Sequence, residues 1–171
     1  MAQLPERPHL DHLKKQAKDL LARYRRGDAA ALDRFRNALP AARRKDDATL
    51  ARLRLRLRDA QSCIAREYGF ASWTDLASFV GARATAADLA ERRLAWLRLI
   101  YAGDIAGGTD RPRPAVAARL LAAAPELAGD DPWLACAVGD SAKLRRAVRD
   151  DPGWIDRPGG PLVTLIPLHL A

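Results

Sequence analysis

The stretch "LARLRLRLRDAQ" (50–61) decides how the first half of this 171-residue chain folds. Its alternation of leucine and arginine favours a half-buried strand, but the alternation ends at Arg58. A helix accounts for a longer stretch, because it places six residues spaced three or four apart on one apolar face: Leu50, Leu53, Leu57, Ala60, Ile64 and Tyr68. Leu, Arg and Ala also favour helices. The pattern predicts one helix from residue 50 to residue 68 that ends at Gly69, with its arginines exposed.

The segments before this stretch also have helical periodicity. An apolar face over residues 10–24 predicts a helix that stops at Gly27, and a second helix over 32–39 stops at Pro40. The basic run that follows ends in Asp46 and Asp47, either of which is placed to cap the helix over 50–68. Residues 1–83 therefore form a module of helices when the one after Gly69 is included.

The sequence after Gly69 has the outline of a helix-turn-helix. Ser72 and Asp75 form an S-x-x-D helix start. A DNA-reading helix needs base-contacting side chains near its start, but this one has Trp73, Thr74 and Asp75 there. No Arg, Lys, Asn or Gln follows until Arg83. Packing of one helix on the next is therefore favoured over base reading.

The net charge of +8 lies entirely in the first half of the chain. Residues 1–83 contain 18 Lys and Arg against 10 Asp and Glu, whereas residues 84–171 contain 11 of each. A basic surface permits binding of nucleic acid or of an acidic protein. The candidates for nucleic-acid contact are the basic residues of two runs: Arg43, Arg44, Lys45, Arg52, Arg54, Arg56 and Arg58.

Two segments of the first half resemble a known bacterial module. "LKKQAKDLL" (13–21) and "DAQSCIAREYGFASWTDL" (59–76) are similar to a small helical module found ahead of bacterial ankyrin-repeat proteins. The resemblance extends over most of residues 4–82. It implies an accessory module whose Gly69, Phe70 and Trp73 are packing residues.

The second half contains a degenerate repeat. "YAGD" (101–104) recurs as "AVGD" (137–140), and each is followed by a helical segment that proline stops, "AVAARLLAAAPEL" (115–127) and "AKLRRAVRDDPGW" (142–154). A turn-rich loop over 105–113 accounts for the unequal spacing. A helix over 89–100, begun by Thr85 and Asp88, precedes them. Repeated helix pairs predict a solenoid.

The last residues, "PLHLA" (167–171), resemble the opening of the first helix of an ankyrin repeat. The resemblance to ankyrin-repeat proteins extends over residues 91–171 and implies a module that binds another protein. In that comparison His169 has a structural role, while Ile166 stands where the family has threonine. The chain stops inside a repeat on an apolar segment, so we expect a truncated array. A fragment without activity of its own remains an alternative.

Little in the sequence indicates catalysis. No phosphate-binding, serine-hydrolase or zinc-protease motif occurs, and His9 with His12 is a weak metal-binding pattern. Cys63 and Cys136 have the pattern of buried thiols in a reducing cytoplasm rather than of a disulfide. No segment has the length of a membrane span, and the first residues do not form a secretory signal. We expect no enzyme, no cofactor and no metal.

These observations predict an all-α protein of two parts. Residues 1–83 form a basic module of four helices, and residues 84–171 form an incomplete ankyrin-like solenoid. The predicted function is binding of another protein, with nucleic-acid binding by the basic module as the alternative. The predicted partner-binding residues lie in loops and inner helices of the array: Asp130, Asp131, Trp133, Trp154 and Arg157. The sequence does not indicate the partner's identity or the oligomeric state.

Overall fold

The computed structural model describes residues 3–5, 7–84, 88–101 and 111–159. Every regular element in these ranges is helical, which confirms the predicted all-α class. The chain divides into two compact units, Met1–Ala84 (unit 1) and Thr85–Ala171 (unit 2). Each unit has buried apolar residues of its own.

Unit 1 contains five helices in its described residues: α1 (Leu10–Arg25), α2 (Ala29–Ala38), α3 (Asp47–Ala51), α4 (Leu57–Glu67) and α5 (Trp73–Ala84). Helix α4 packs on α1, α2 and α5, so it is the central helix of the unit. The largest side chains that are fully enclosed belong to these helices: Leu20, Phe35, Leu50, Ile64, Leu76 and Val80. Their burial removes apolar surface from water and stabilises the arrangement.

The predicted helix ends of unit 1 are confirmed where local chemistry determines them. Asp46 caps α3, because its carboxylate accepts the backbone N–H of Thr49 at 2.7 Å. Ser72 accepts the N–H of Asp75 at 3.1 Å and its hydroxyl donates to the Asp75 carboxylate at 2.7 Å. Gly69 has a φ of 77° and ends α4 in a left-handed turn, which glycine adopts without steric cost.

The predicted continuous helix over 50–68 is wrong. Helix α3 ends at Ala51, residues 52–56 form an irregular segment, and α4 begins at Leu57. The hydroxyl of Tyr24 donates to the carbonyl of Leu50 at 2.7 Å, so this carbonyl has a partner outside its own helix. The carboxylate of Asp59 accepts the backbone N–H of Arg56 at 2.7 Å, which favours a new helix start. The described part of unit 1 therefore has five helices where the sequence predicted four.

Unit 2 has a helix–helix–turn order that occurs twice. Helices α6 (Leu89–Tyr101) and α7 (Pro114–Ala123) are followed by the 3₁₀ turn Pro125–Leu127. Helices α8 (Pro132–Val138) and α9 (Ser141–Asp150) are followed by the 3₁₀ turn Pro152–Asp156. The predicted helix stops before Pro125 and Pro152 are confirmed. The solenoid arrangement of these pairs stays a prediction.

The first helix pair is joined by side-chain bonds to the turn that follows it. The indole Nε1 of Trp96 donates to the carbonyl of Ala117 at 3.2 Å, which fixes α6 on α7. Arg92 forms an ion pair with Glu126 at 2.6 Å, and Arg93 donates to the carbonyl of Leu127 at 3.1 Å. These bonds hold the turn against α6.

The predicted helix over 89–100 is confirmed as α6, and its centre is buried at Trp96, Leu97 and Leu99. Leu89 is exposed, because it is the first residue of the helix. Asp88 caps the helix through the N–H of Glu91, at 2.8 Å. The predicted role of Thr85, most of the loop over 105–113 and the segment "PLHLA" lie outside the described residues.

Candidate functional site

The irregular segment Arg52–Arg56, which we call the arginine connector, is fixed at both ends. Tyr24 contacts the carbonyls of Leu50 and Leu53 with its hydroxyl. Within the connector, the N–H of Leu55 donates to the carbonyl of Leu53 at 2.9 Å, so Arg54 is the central residue of a tight turn. The bond from Arg56 to Asp59 fixes the other end. The connector is thus a turn with a defined backbone, and bonds to Tyr24 and Asp59 hold its two ends.

Four arginines in and beside the connector are exposed and have no ion pair with any described residue: Arg52, Arg54, Arg56 and Arg58. Three other arginines of unit 1, Arg23, Arg34 and Arg36, are paired with acidic residues. Arg23 pairs with Asp28 at 3.0 Å, and Arg34 binds Glu67 through two nitrogens, at 2.6 and 2.8 Å. The positive charge of the connector therefore faces solvent.

An open cleft of about 440 Å³ lies between the connector and the end of α1. Its lining combines two arginines, Arg25 and Arg54, with apolar and backbone surface: Tyr24, Gly27, Ala51, Leu53 and Leu55. Arg25 has no ion pair within the described ranges either. The cleft brings a positive charge from α1 next to the connector, although the sequence separates the two by more than 25 residues. Periodicity along the chain could not have identified Arg25 as part of this surface.

The other predicted basic run, Arg43–Lys45, forms the turn between α2 and α3. Arg44 has a φ of 65°, a left-handed backbone that is strained for a residue with a Cβ. The carbonyl of Lys45 accepts Arg36 Nε at 3.0 Å, which ties the turn to α2. Helix α3 has five residues and is about 7.5 Å long. The two basic runs therefore lie at opposite ends of one short helix.

Three of the predicted partner-binding residues have structural contacts in unit 2. Asp131 caps α8 through the N–H of Trp133 at 2.8 Å. Asp130 is exposed and lies 3.4 Å from the ammonium group of Lys143. Arg157 forms an ion pair with Asp151 at 2.8 Å. These contacts leave Asp130 and Arg157 accessible to solvent.

The remaining two predicted residues meet in a small apolar cluster. The rings of Trp133 and Trp154 have centroids 5.0 Å apart and are tilted by 49°. Trp154 is only 7% exposed and packs with Cys136, so its main role is in the core. Tyr101 joins the cluster, and burial raises the pKa of its hydroxyl to about 12. One sequence signal pointed to this cluster, a tryptophan near the start of each of the two elements, whereas no signal pointed to Tyr101.

A shallow apolar groove in unit 2 was not predicted. It has a volume of about 250 Å³ and is lined by small and aliphatic residues of α6, α7 and α8, together with Trp96: Ile100, Pro114, Ala117, Ala118, Leu121, Ala137 and Val138. Half of the eight lining residues are alanine or proline, which carry little periodic signal in the sequence. The groove therefore combines residues of three helices around one opening.

His9 and Cys63 each have a structural role in the described part of unit 1. His9 is the N-cap of α1, where its Nδ1 accepts the N–H of Asp11 at 3.3 Å. No cluster of three or more potential metal ligands occurs in the part of the chain that the structure describes. Burial raises the pKa of the Cys63 thiol to about 12, so this thiol is protonated and unreactive at neutral pH.

No protein-family model, curated protein or solved structure matches this chain significantly. Within residues 3–5, 7–84, 88–101 and 111–159, no helix is both long and apolar enough to cross a bilayer.

Proposed function

We propose that this protein acts without catalysis, by binding another protein through the repeated helix pairs of unit 2. The observation that carries the proposal is the repetition of one structural order: two helices followed by a 3₁₀ turn that begins with proline. The two turns share one further feature, because the residue two positions after each proline is buried, Leu127 in the first and Trp154 in the second.

Helical repeats of this kind are used in proteins as interaction surfaces, because stacked pairs give an extended face that loops can vary. The resemblance of residues 91–171 to ankyrin-repeat proteins supports the same function. Both cysteines are free and buried, which is compatible with a reducing compartment. We therefore propose the cytoplasm as the place of binding.

The experiment is affinity capture with the full chain and two variants, from a nuclease-treated bacterial lysate. The first variant exchanges charges in unit 2, Asp130→Arg with Arg157→Glu. The control exchanges charges on the exposed face of α1, Lys15→Glu with Asp19→Arg. Both variants keep the net charge of the parent chain. Circular dichroism checks that each variant folds.

We expect specific proteins to be retained by the parent chain and by the α1 control, and to be lost with the unit 2 variant. Each retained protein is then purified and titrated against the full chain. Retention that is equal for both variants would contradict a binding surface at Asp130 and Arg157. The absence of any saturable partner in these titrations would contradict the proposed function.

A further inference from the structure

We propose that unit 1 has a second binding surface, which takes the phosphate backbone of nucleic acid without reading the base sequence. It consists of the arginine connector with Arg25 and Arg58, and the turn with Arg43 and Arg44 extends it. This surface goes beyond the protein-binding function proposed for unit 2. The proposal rests on one observation: the arginines of this surface have no ion pair with a described residue, and they lie on or beside a turn whose ends are fixed.

The connector arginines keep their positive charge without a carboxylate partner among the described residues. Elsewhere in unit 1, Arg23, Arg34 and Arg36 are neutralised by nearby carboxylates. The connector arginines have no such partner among the described residues. Their charges repel one another, and an external polyanion would relieve this repulsion.

The backbone of the connector is held in one conformation before any ligand binds. Tyr24 and Asp59 fix its ends, and the turn centred on Arg54 holds the backbone in a tight conformation. Binding therefore requires ordering of side chains but little ordering of the backbone. Arginine presents a planar fork of N–H donors that fits the oxygens of a phosphate group in a bidentate manner.

The surroundings of the connector favour nucleic acid over a membrane or a protein partner. Leu57, at 37% exposed, is the one large hydrophobic side chain that is exposed in the described part of unit 1. Membrane-surface helices and protein interfaces need a larger apolar contact area. The aromatic rings of the described unit are buried or half-buried, which disfavours base stacking. Contact with phosphates, which is independent of sequence, then remains.

The test measures fluorescence anisotropy with the full chain and labelled DNA duplexes of roughly 20 base pairs, in two unrelated sequences. Four phosphate contacts give a slope of about −3.6 in log K against log salt, or a loss of about 150-fold between about 50 and about 200 mM KCl. Arg54→Gln with Arg58→Gln removes two contacts. The slope of this variant should be about −1.8, with a loss of about 12-fold over the same range.

The matched control is Arg145→Gln with Arg146→Gln, which removes the same charge from exposed positions of α9 in unit 2. It should keep the slope of the parent chain. Equal slopes for both variants would overturn the assignment to the connector. A tenfold preference for one of the two sequences would overturn phosphate readout. Absence of binding at about 50 mM salt, or binding only to vesicles with anionic lipid, would overturn the proposal, while unit 2 capture from the nuclease-treated lysate would be unaffected.

Discussion

The clearest test of the unit 1 fold compares two leucines that a continuous helix would treat alike. In the helix predicted over 50–68, Leu50 and Leu57 are seven residues apart on the same buried face. In the structure, Leu50 is 0% exposed and Leu57 is 37% exposed, because the connector separates α3 from α4. Replacing each residue with alanine therefore measures whether the helix is interrupted.

The magnitudes follow from burial. Leu50→Ala removes atoms from a fully enclosed position and leaves a cavity, so we expect the free energy of unfolding to fall by about 3–5 kcal/mol. Leu57→Ala removes atoms that are partly in contact with water and leaves no enclosed cavity, and Leu57 is the first residue of α4. We expect a loss of about 0.5–1 kcal/mol at this position. The difference between the variants should exceed about 2 kcal/mol.

Urea denaturation of the full chain, followed by far-ultraviolet circular dichroism, measures both values. Hydrogen exchange of peptides from residues 47–67 assigns the shifted transition to unit 1. Losses that agree within about 1 kcal/mol would refute the interrupted helix, because the two side chains would then be equally buried.

Three further changes test individual contacts. Tyr24→Phe removes the hydroxyl that donates to the Leu50 carbonyl, and should lower the free energy of unfolding by about 1–2 kcal/mol; a loss near zero would show that water replaces this bond. Arg44→Gly relieves a left-handed backbone and should raise the free energy of unfolding by roughly 0.5–1 kcal/mol in the same urea assay. A lower free energy of unfolding would contradict the positive φ at this position. With Cys136→Ser as background, Cys63 should react with a disulfide reagent at pH 8 only as the protein unfolds, because its pKa of about 12 lowers the thiolate fraction about a thousandfold relative to a pKa of 9.0. Since the folded-state pKa is the higher one, ionisation of Cys63 should also reduce stability as pH rises from 9.0 towards 12, and rapid reaction of the folded chain would contradict its burial.

The sequence was a good guide wherever the determining contacts are local. Asp46 and Ser72 each bond to a backbone group three residues away, and Gly69 and Pro125 act through their own backbone geometry. Such signals are contained within a few positions of the chain. This explains why these helix ends of unit 1 and the proline stops of unit 2 were predicted correctly, whereas the break at residues 52–56 was not.

The error over residues 50–68 has a tertiary cause. Helical propensity and periodicity both favoured continuation, but Tyr24 donates to the carbonyl of Leu50, 26 residues later and one residue before α3 ends. No local pattern contains that contact, because it exists only after α1 and α3 have packed together. The same reason explains the candidate surfaces. The sequence indicated the connector arginines and the pair Trp133 and Trp154. Arg25 lies beside the connector, and Tyr101 beside the two tryptophans, only because the chain is folded.

The interruption between α3 and α4 separates two roles of this part of the chain, packing of the core and exposure of positive charge. Leu50 and the residues of α4 hold the core, while residues 52, 54 and 56 project outward from a turn that is anchored at its ends. In an unbroken helix, inserting or deleting one residue here would rotate everything after it by about 100°. In the structure, residues 52–56 belong to neither helix, so the exposed arginines and the buried residues of α3 and α4 do not share one helical register.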